Sequence, residues 1–395
     1  MKPFCRREIV MALAALVGLF AAPLAFSSQD AGLKLGTPTL TNNQIQFTLS
    51  CESGVAYVIE HSVDLQDWAP VLTNSDSSIA RLITADAPSD VDFYRARRSQ
   101  LPLFGAAMAA VSAINLQGNN IATDSFDSGD TNYSTGGLYP VGSVEKTKAK
   151  GDVCTPSILT TCLQIGNANI KGHVKTGPGV GTFSIGPNGT VGSRAWVEGG
   201  STGIQPGWSS TDFNVVFPDV TLPTQIWLPA SSTTPGSDTV DGVQYSYIFK
   251  TDGDYSINTL SGSVYVSTNA HVRLKISNSY VASSAVIRIC PDNGSLQIFM
   301  VGTNFSLGGS AQIDNMSGHA DRFFLFGLPT CTSILLSGSA AFFGCIYAPQ
   351  AAFTLGGGGS YTWDFVGSSV TKTVLMNGHF NFHYDENLAR TGPFR

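Results

Sequence analysis

Charge is scarce in this sequence. Asp, Glu, Lys and Arg make up 13% of its 395 residues, about half of the roughly 25% usual for globular proteins. Long surface helices need charged faces, so a helix-dominated fold is disfavoured. Lys and Arg form no run of five or more, and the formal net charge is −6. Nucleic acid and anionic membrane surfaces both require basic patches, so neither is an expected partner. The signatures HExxH and the phosphate-binding glycine loop are missing. So is any CxxC or close Cys/His spacing that would point to zinc.

Only one apolar run approaches membrane length, and it sits at the N-terminus. Lys2, Arg6 and Arg7 precede a run from Ile9 to Phe26, with Pro23 inside it and small residues at Ala25 and Ser27. This order predicts a signal peptide over residues 1–27, cleaved after Ser27, and no membrane span afterwards. An uncleaved anchor is the competing reading, because the run is close to the ~20 residues that cross a bilayer. Cleavage would remove Lys2, Arg6, Arg7 and Glu8, leaving 19 basic residues against 27 acidic. Export to the cell surface or outside the cell is the expected location, with the periplasm as the other compartment.

Six cysteines follow the leader: Cys51, Cys154, Cys162, Cys290, Cys331 and Cys345. An even count in an exported chain suggests disulfides, although six cysteines allow 15 connectivities. Cys154 and Cys162, close together in a Pro/Thr-rich loop, are the expected pair.

Glycine is what the sequence has in excess, 42 of 395 residues, about 11% against a usual ~7%. With abundant Ser, Thr and Asn it favours short strands and tight turns. Residues 28–98 read as a small β-sandwich of alternating strands, with Tyr57, Ile59, Trp68, Val71, Leu82, Phe93 and Tyr94 as its core. Residues 99–113 are apolar and Ala-rich. They are expected as a linker or short helix that caps the following domain, because an open solenoid end needs cover.

From residue 114 a repeat emerges. Gly166 and Gly172, in Ile165 to Gly172, recur twenty residues later as Gly186 and Gly192. Related apolar-x-Gly turns end at Gly118, Gly262 and Gly378, and the step from Gly357 to Gly378 is a similar 21 residues. A period near twenty in β-rich sequence predicts a right-handed parallel β-helix, or solenoid, over 114–395. Glycine supplies the corners and alternating apolar residues fill the interior. The repeat breaks at about 197–255, where Pro218, Pro223, Pro229 and Pro235 indicate an irregular surface insertion. A β-sandwich with glycine turns at chance intervals is the competing reading.

Two resemblances add to this. Residues Ala56 to Ser62, Leu65, Trp68 and Phe93 to Ala96 resemble a fibronectin-like accessory module, which implies a framework role. Residues Phe343 to Pro349, Gly356 to Gly359, Phe365 to Gly367 and Leu375 to Glu386 resemble uncharacterised secreted bacterial proteins carrying a domain of unknown function. Thr123 to Ser128 with Tyr133 resembles the opening of that domain, so the likeness runs from about Ile114 to Leu388. It implies a solenoid at the cell surface, in some relatives within pilus-associated assemblies, and it supplies no activity.

Few constellations carry chemistry. Asp124, Asp127 and Asp130 are candidates for calcium, but their order lacks the EF-hand pattern, and solvated turn residues explain them more simply. His379 and His383, four apart on an expected strand, are metal candidates, with a plain polar face as the alternative. Tyr361, Trp363 and Phe365 share a strand face, either as a core stack or as an exposed ledge for sugar rings or a protein partner. Arg273, Lys275 and Arg288 are the cations grouped on strands, and His319 with Asp321 is a couple without a nucleophile. Many resembling β-helices are polysaccharide lyases or hydrolases, which need carboxylates converging across coils. The leading expectation is a non-catalytic structural or adhesive scaffold, with no cofactor and with polysaccharide or other surface proteins as partners. A polysaccharide-active enzyme and a subunit of a pilus-like assembly are the alternatives.

Overall fold

The computed structural model describes residues 9–14, 25–26, 34–41, 44–50, 57–74, 80–86, 91–98, 102–118, 120–179, 183–213, 215–230, 239–337, 341–357 and 361–393. It divides into two units, Met1–Pro102 with Arg390–Arg395, and Leu103–Ala389.

The first unit holds two antiparallel sheets. One runs Ala25–Phe26, Ile9–Ala14, Val91–Arg98, Tyr57–Ser62, Ala69–Asn74 in space. The other centres on Gln44–Ser50, flanked by Lys34–Leu35, Thr39–Thr41 and Ala80–Asp86. Alternation along Gln44–Ser50 buries Ile45, Phe47 and Leu49 against Tyr57, Ile59, Tyr94 and Ala96. Of the expected core, Tyr57, Ile59 and Tyr94 are buried, while Val71 is exposed. Trp68 is half-buried beneath the Arg95 guanidinium, 4.0 Å from its ring. The Leu82 side chain lies outside the described residues. Part of the run expected as a leader, Ile9–Ala14, pairs with Val91–Arg98 in this sheet.

The second unit is a parallel β-solenoid. The glycine period is a stacking period: the Gly186 N–H donates to the Gly166 carbonyl at 2.7 Å, and the Gly172 N–H to the Gly192 carbonyl at 3.2 Å. Inside, aromatic rings stack from coil to coil, Phe342 on Phe365 at 4.4 Å and Phe365 on Phe382 at 4.0 Å. Each such ring contributes about 1.5–3 kcal/mol by leaving water.

The coils do not stack in chain order. One column of register partners runs Ser209, Val174, Val153, Met108, Ser369, Ile346, Leu325, Ile298, Leu274, Tyr255, Leu228. The first coil (Met108–Leu116) therefore lies directly on one of the last (Trp363–Met376), and Ala122–Phe126 lies on Phe380–Asp385. From this junction residues 153–210 build outward in one direction and residues 228–355 in the other. This corrects the expectation of a linker or cap over residues 108–113. Met108–Leu116 has strand neighbours on both sides, and its small apolar residues reflect burial rather than helix formation.

The same topology explains the broken repeat at 197–255. Having reached one end of the stack at Ser209–Ser210, the chain must return to the other end at Leu228–Pro229. Ten strand steps of ~4.8 Å make roughly 48 Å, and the extended residues between reach about 60 Å at ~3.3 Å each. The strap touches the coils in their stacking order. Phe213 packs on Cys154 and Ala106. The Pro218 carbonyl accepts from the Tyr347 hydroxyl at 2.8 Å, and Asp219 from Gln350 at 2.9 Å. Trp227 meets Phe299 edge-on at 5.7 Å. Strands such as Phe323–Gly327 are consequently buried on both faces and read as unbroken apolar runs. Elsewhere in the expected insertion, the helix Arg194–Glu198 lies against Asn169–Lys171 and Thr190–Gly192, and Thr239–Val240 with Val243–Gln244 forms a hairpin.

The expected disulfide is corrected. Cys162 is a free, buried thiol whose Sγ–H points to the Ser157 carbonyl at 3.6 Å, so no bridge joins it to Cys154. The reason is packing: Cys154 faces Phe213 in the strap, while Cys162 is part of the solenoid core. Cys290, Cys331 and Cys345 are also free and buried, and Cys51 lies outside the described residues. Burial pushes the Cys331 thiol up to about 11 and makes it inert while folded. Alkylation of denatured, unreduced protein is expected to modify Cys162, Cys290, Cys331 and Cys345 fully. Protection of Cys162 until reductant is added would restore the bridge.

Candidate functional site

The junction between the two halves of the stack carries the densest set of ionisable side chains. Parallel pairing places Asp124 opposite His383 and Phe126 opposite Asp385. His383 Nδ1 lies 2.6 Å from Asp124 Oδ1, and its Nε2 lies 3.3 Å from Asp364 Oδ1. The Tyr139 hydroxyl donates to Asp124 Oδ2 at 3.0 Å, and its ring covers the imidazole with centroids 3.6 Å apart. Beside this, Glu386 accepts from Ser125 at 2.9 Å and from Lys148 at 2.6 Å, with Lys150 at 3.2 Å. Asp385 accepts the Ser128 N–H at 3.0 Å.

Burial alone would lower the His383 pKa, but Asp124 and Asp364 override it and hold the imidazole above its ordinary value. Asp364 is held below its ordinary value, burial being outweighed by the His383 hydrogen bond. The Tyr139 phenol is pushed far up by burial and by the Asp124 charge. His383 is therefore held toward its charged form between two carboxylates under an aromatic lid. It is 5% exposed, both ring nitrogens are engaged, and the neighbouring hydroxyls of Tyr139 and Ser125 are committed to Asp124 and Glu386. What the arrangement does is tie residues 124–150 to the coil below them.

Sequence reading named Asp124, Asp127 and His383, and the structure gathers these three at the junction. Asp130 stays apart, capping its own turn through Asn132 at 2.9 Å. His379 also stays apart, its carbonyl accepting the Trp363 N–H at 3.0 Å. Among the described residues no group of three or more His, Cys, Asp and Glu side chains is placed to hold a metal ion. Tyr139, Asp364, Lys148 and Glu386 were missed. Asp364 had one available signal, since it lies on the opposite strand face from Trp363 and Phe365. The others meet partners more than 200 residues away or within an irregular loop, where no local pattern operates.

A family model described as a domain of unknown function (DUF7305) matches residues 229–391. No curated protein and no solved structure matches the chain. The match is shorter than the 114–388 expected from the motifs. It covers the coils from Gly253–Ile257 to Phe380–Asp385 and leaves out those from Met108 to Ser210. His383, Asp364 and Glu386 thus lie inside the matched DUF7305 segment, while Asp124, Tyr139 and Lys148 lie outside it.

The remaining candidates are placed as follows. Phe365 is fully buried, Trp363 is half-buried and Tyr361 is 73% exposed. The shared face thus runs from core at Phe365 through half-buried Trp363 to solvent at Tyr361. Arg273 makes a two-pronged contact with Asp254 at 2.5 and 2.6 Å, and Arg288 pairs with Asp314 at 2.8 Å. Lys275 lies 5.9 Å from the Trp227 ring. Asp321 pairs with its neighbour Arg322 at 3.6 Å. A second ionic cluster joins Asp152 to Lys175 at 2.7 Å and to His173 at 3.3 Å, with His173 stacked on Trp208. Among the described residues no helix is long and apolar enough to cross a membrane.

Proposed function

We propose that the chain is an exported, non-catalytic scaffold: a rigid solenoid at or outside the cell surface that presents binding faces to glycans or neighbouring proteins. One observation carries this reading. Carboxylates and cations of the solenoid are spent on each other across the stack, at Asp124–His383–Asp364, Glu386–Lys148, Asp254–Arg273 and Asp314–Arg288. A hydrolase or lyase would need such groups reachable and poised in a cleft. The leader-like N-terminus and the low charge support export.

Purified protein incubated with a panel of soluble polysaccharides, with and without calcium, is expected to release no reducing ends and no unsaturated products. Release above a heat-killed control would replace the scaffold reading with a polysaccharide-active enzyme.

A further inference from the structure

Strand pairing is unevenly shared on the two sides of the first coil. Its strands Met108–Leu116 and Ala122–Phe126 pair over seven positions with Trp363–Met376 and over five with Phe380–Asp385. Toward the coil that follows in sequence they pair over only two positions at each of three places, Val153–Cys154, Leu163–Gly166 and Asn169–Lys171. The chain entering the first coil is anchored on the same distant side. Ser368 Oγ donates to the Ala106 carbonyl at 2.6 Å, and the Tyr384 hydroxyl donates to the Phe104 carbonyl at 3.0 Å. The Phe104 ring lies 6.0 Å from Phe324 and 6.1 Å from Tyr347.

Beyond the first coil the ladders stay short. Val153–Cys154 meets Val174–Lys175 over two positions, Asn169–Lys171 meets Thr190–Gly192 over three, and Val174–Lys175 meets Ser209–Ser210 over two. In the other half His271–Ile276 meets Ser295–Met300 over six, and Phe342–Leu355 meets Trp363–Met376 over eleven. The interiors differ in the same sense. Leu163, Ile165, Ala168, Ile170, Val174 and Val191 fill the coils of 153–210, with none of the stacked rings of the other half. Smaller side chains remove less apolar surface from water. A stack of coils is held approximately by the sum of its nearest-neighbour interfaces, so local opening starts where those interfaces are weakest.

We propose that residues 104–126 are a donated coil that opens and closes as one unit with residues 253–385, and that residues 153–210 form a second, weaker unit that folds last and opens first. The coils of 153–210 stack on the first coil, and the first coil is seated on the last coils of the chain. Folding therefore runs from the C-terminal coils toward residue 210, against the direction in which the chain is made. Closing so long a loop costs entropy before the pairing repays it. The matched segment 229–391 is incomplete without residues 104–126, which cover its strand edge at Trp363–Asp385.

Hydrogen exchange of the full chain, followed by mass spectrometry in urea below the unfolding transition, tests this. Residues 153–210 are expected to lose protection first. Met108–Leu116 and Ala122–Phe126 should lose it later, together with Trp363–Asp385. Val374→Ala, at a buried position facing Ile114, separates the units. It should speed exchange of 108–126 and 253–385 about tenfold and leave 153–210 unchanged, because opening of the weaker unit does not expose position 374. Joint exchange of 108–126 with 153–210, ahead of 363–385, would overturn the assignment. So would loss of protection over the whole solenoid in one step, or equal acceleration of 153–210 in the variant.

Discussion

Gly118→Ala is expected to lower the thermal midpoint by about 10 °C or to abolish soluble expression. A Cβ at position 118 would stand 2.2 Å from the Gly378 carbonyl oxygen and 3.2 Å from the Asn377 carbonyl carbon. Both are backbone atoms fixed by the neighbouring coil, so the methyl group has nowhere to go. Forced overlap in a packed interior costs about 3 kcal/mol or more, and each kcal/mol moves the midpoint of a unit this size by roughly 2–4 °C. The substitution also tests topology. Gly118 belongs to the first coil and Gly378 to the last, so they meet only if the stack is closed at a junction between them. In a solenoid wound in chain order, Gly118 would face an open end and tolerate alanine. Gly308→Ala is the control, because its nearest neighbour is the end of the Ser337 side chain at 3.3 Å. Equal midpoints for the two variants would refute the junction.

How much of this was legible follows from the range over which each signal acts. The twenty-residue glycine step was readable because stacking imposes it on neighbouring turns, as Gly166 and Gly186 show. The alternation of Gln44–Ser50 was readable for the same local reason. The stacking order was not, because parallel pairing of Met108–Leu116 with Trp363–Met376 leaves no period between positions over 250 residues apart. The strap was misread as an insertion because proline and irregular sequence mark a long connection without saying what it spans. At the site, Asp124 and His383 each stood out singly. Their pairing is a product of the junction, and Tyr139 is placed by a loop whose sequence has no periodicity. The disulfide failed for a related reason: nearness in sequence is not nearness of side chains on opposite faces of a coil.

The junction's charge network leads to the second large effect. His383→Leu is expected to reduce stability by about 3–5 kcal/mol near pH 6, the usual loss when one partner of a buried ion pair is removed. Leucine fills similar space, so the loss comes from leaving Asp124 and Asp364 without their cation. The pH dependence separates charge from shape. A histidine whose folded pKa is raised gives its full stabilisation below the unfolded value of 6.5 and loses it as pH rises through the folded value. A carboxylate whose folded pKa is lowered, as for Asp364, stabilises above 3.8 and stops doing so as pH falls. The difference between wild type and variant should therefore be largest between about pH 5 and 6.5. It should shrink at lower pH, as Asp364 takes up its proton, and again at higher pH, as wild-type His383 passes through its raised folded value. Tyr139→Phe keeps the ring over His383 and removes only the hydrogen bond to Asp124, so its loss should be about 1–2 kcal/mol. Urea denaturation from pH 4 to 9 measures all three proteins. A His383→Leu deficit that stays constant across that range would mean that the network holds the junction by packing rather than by charge.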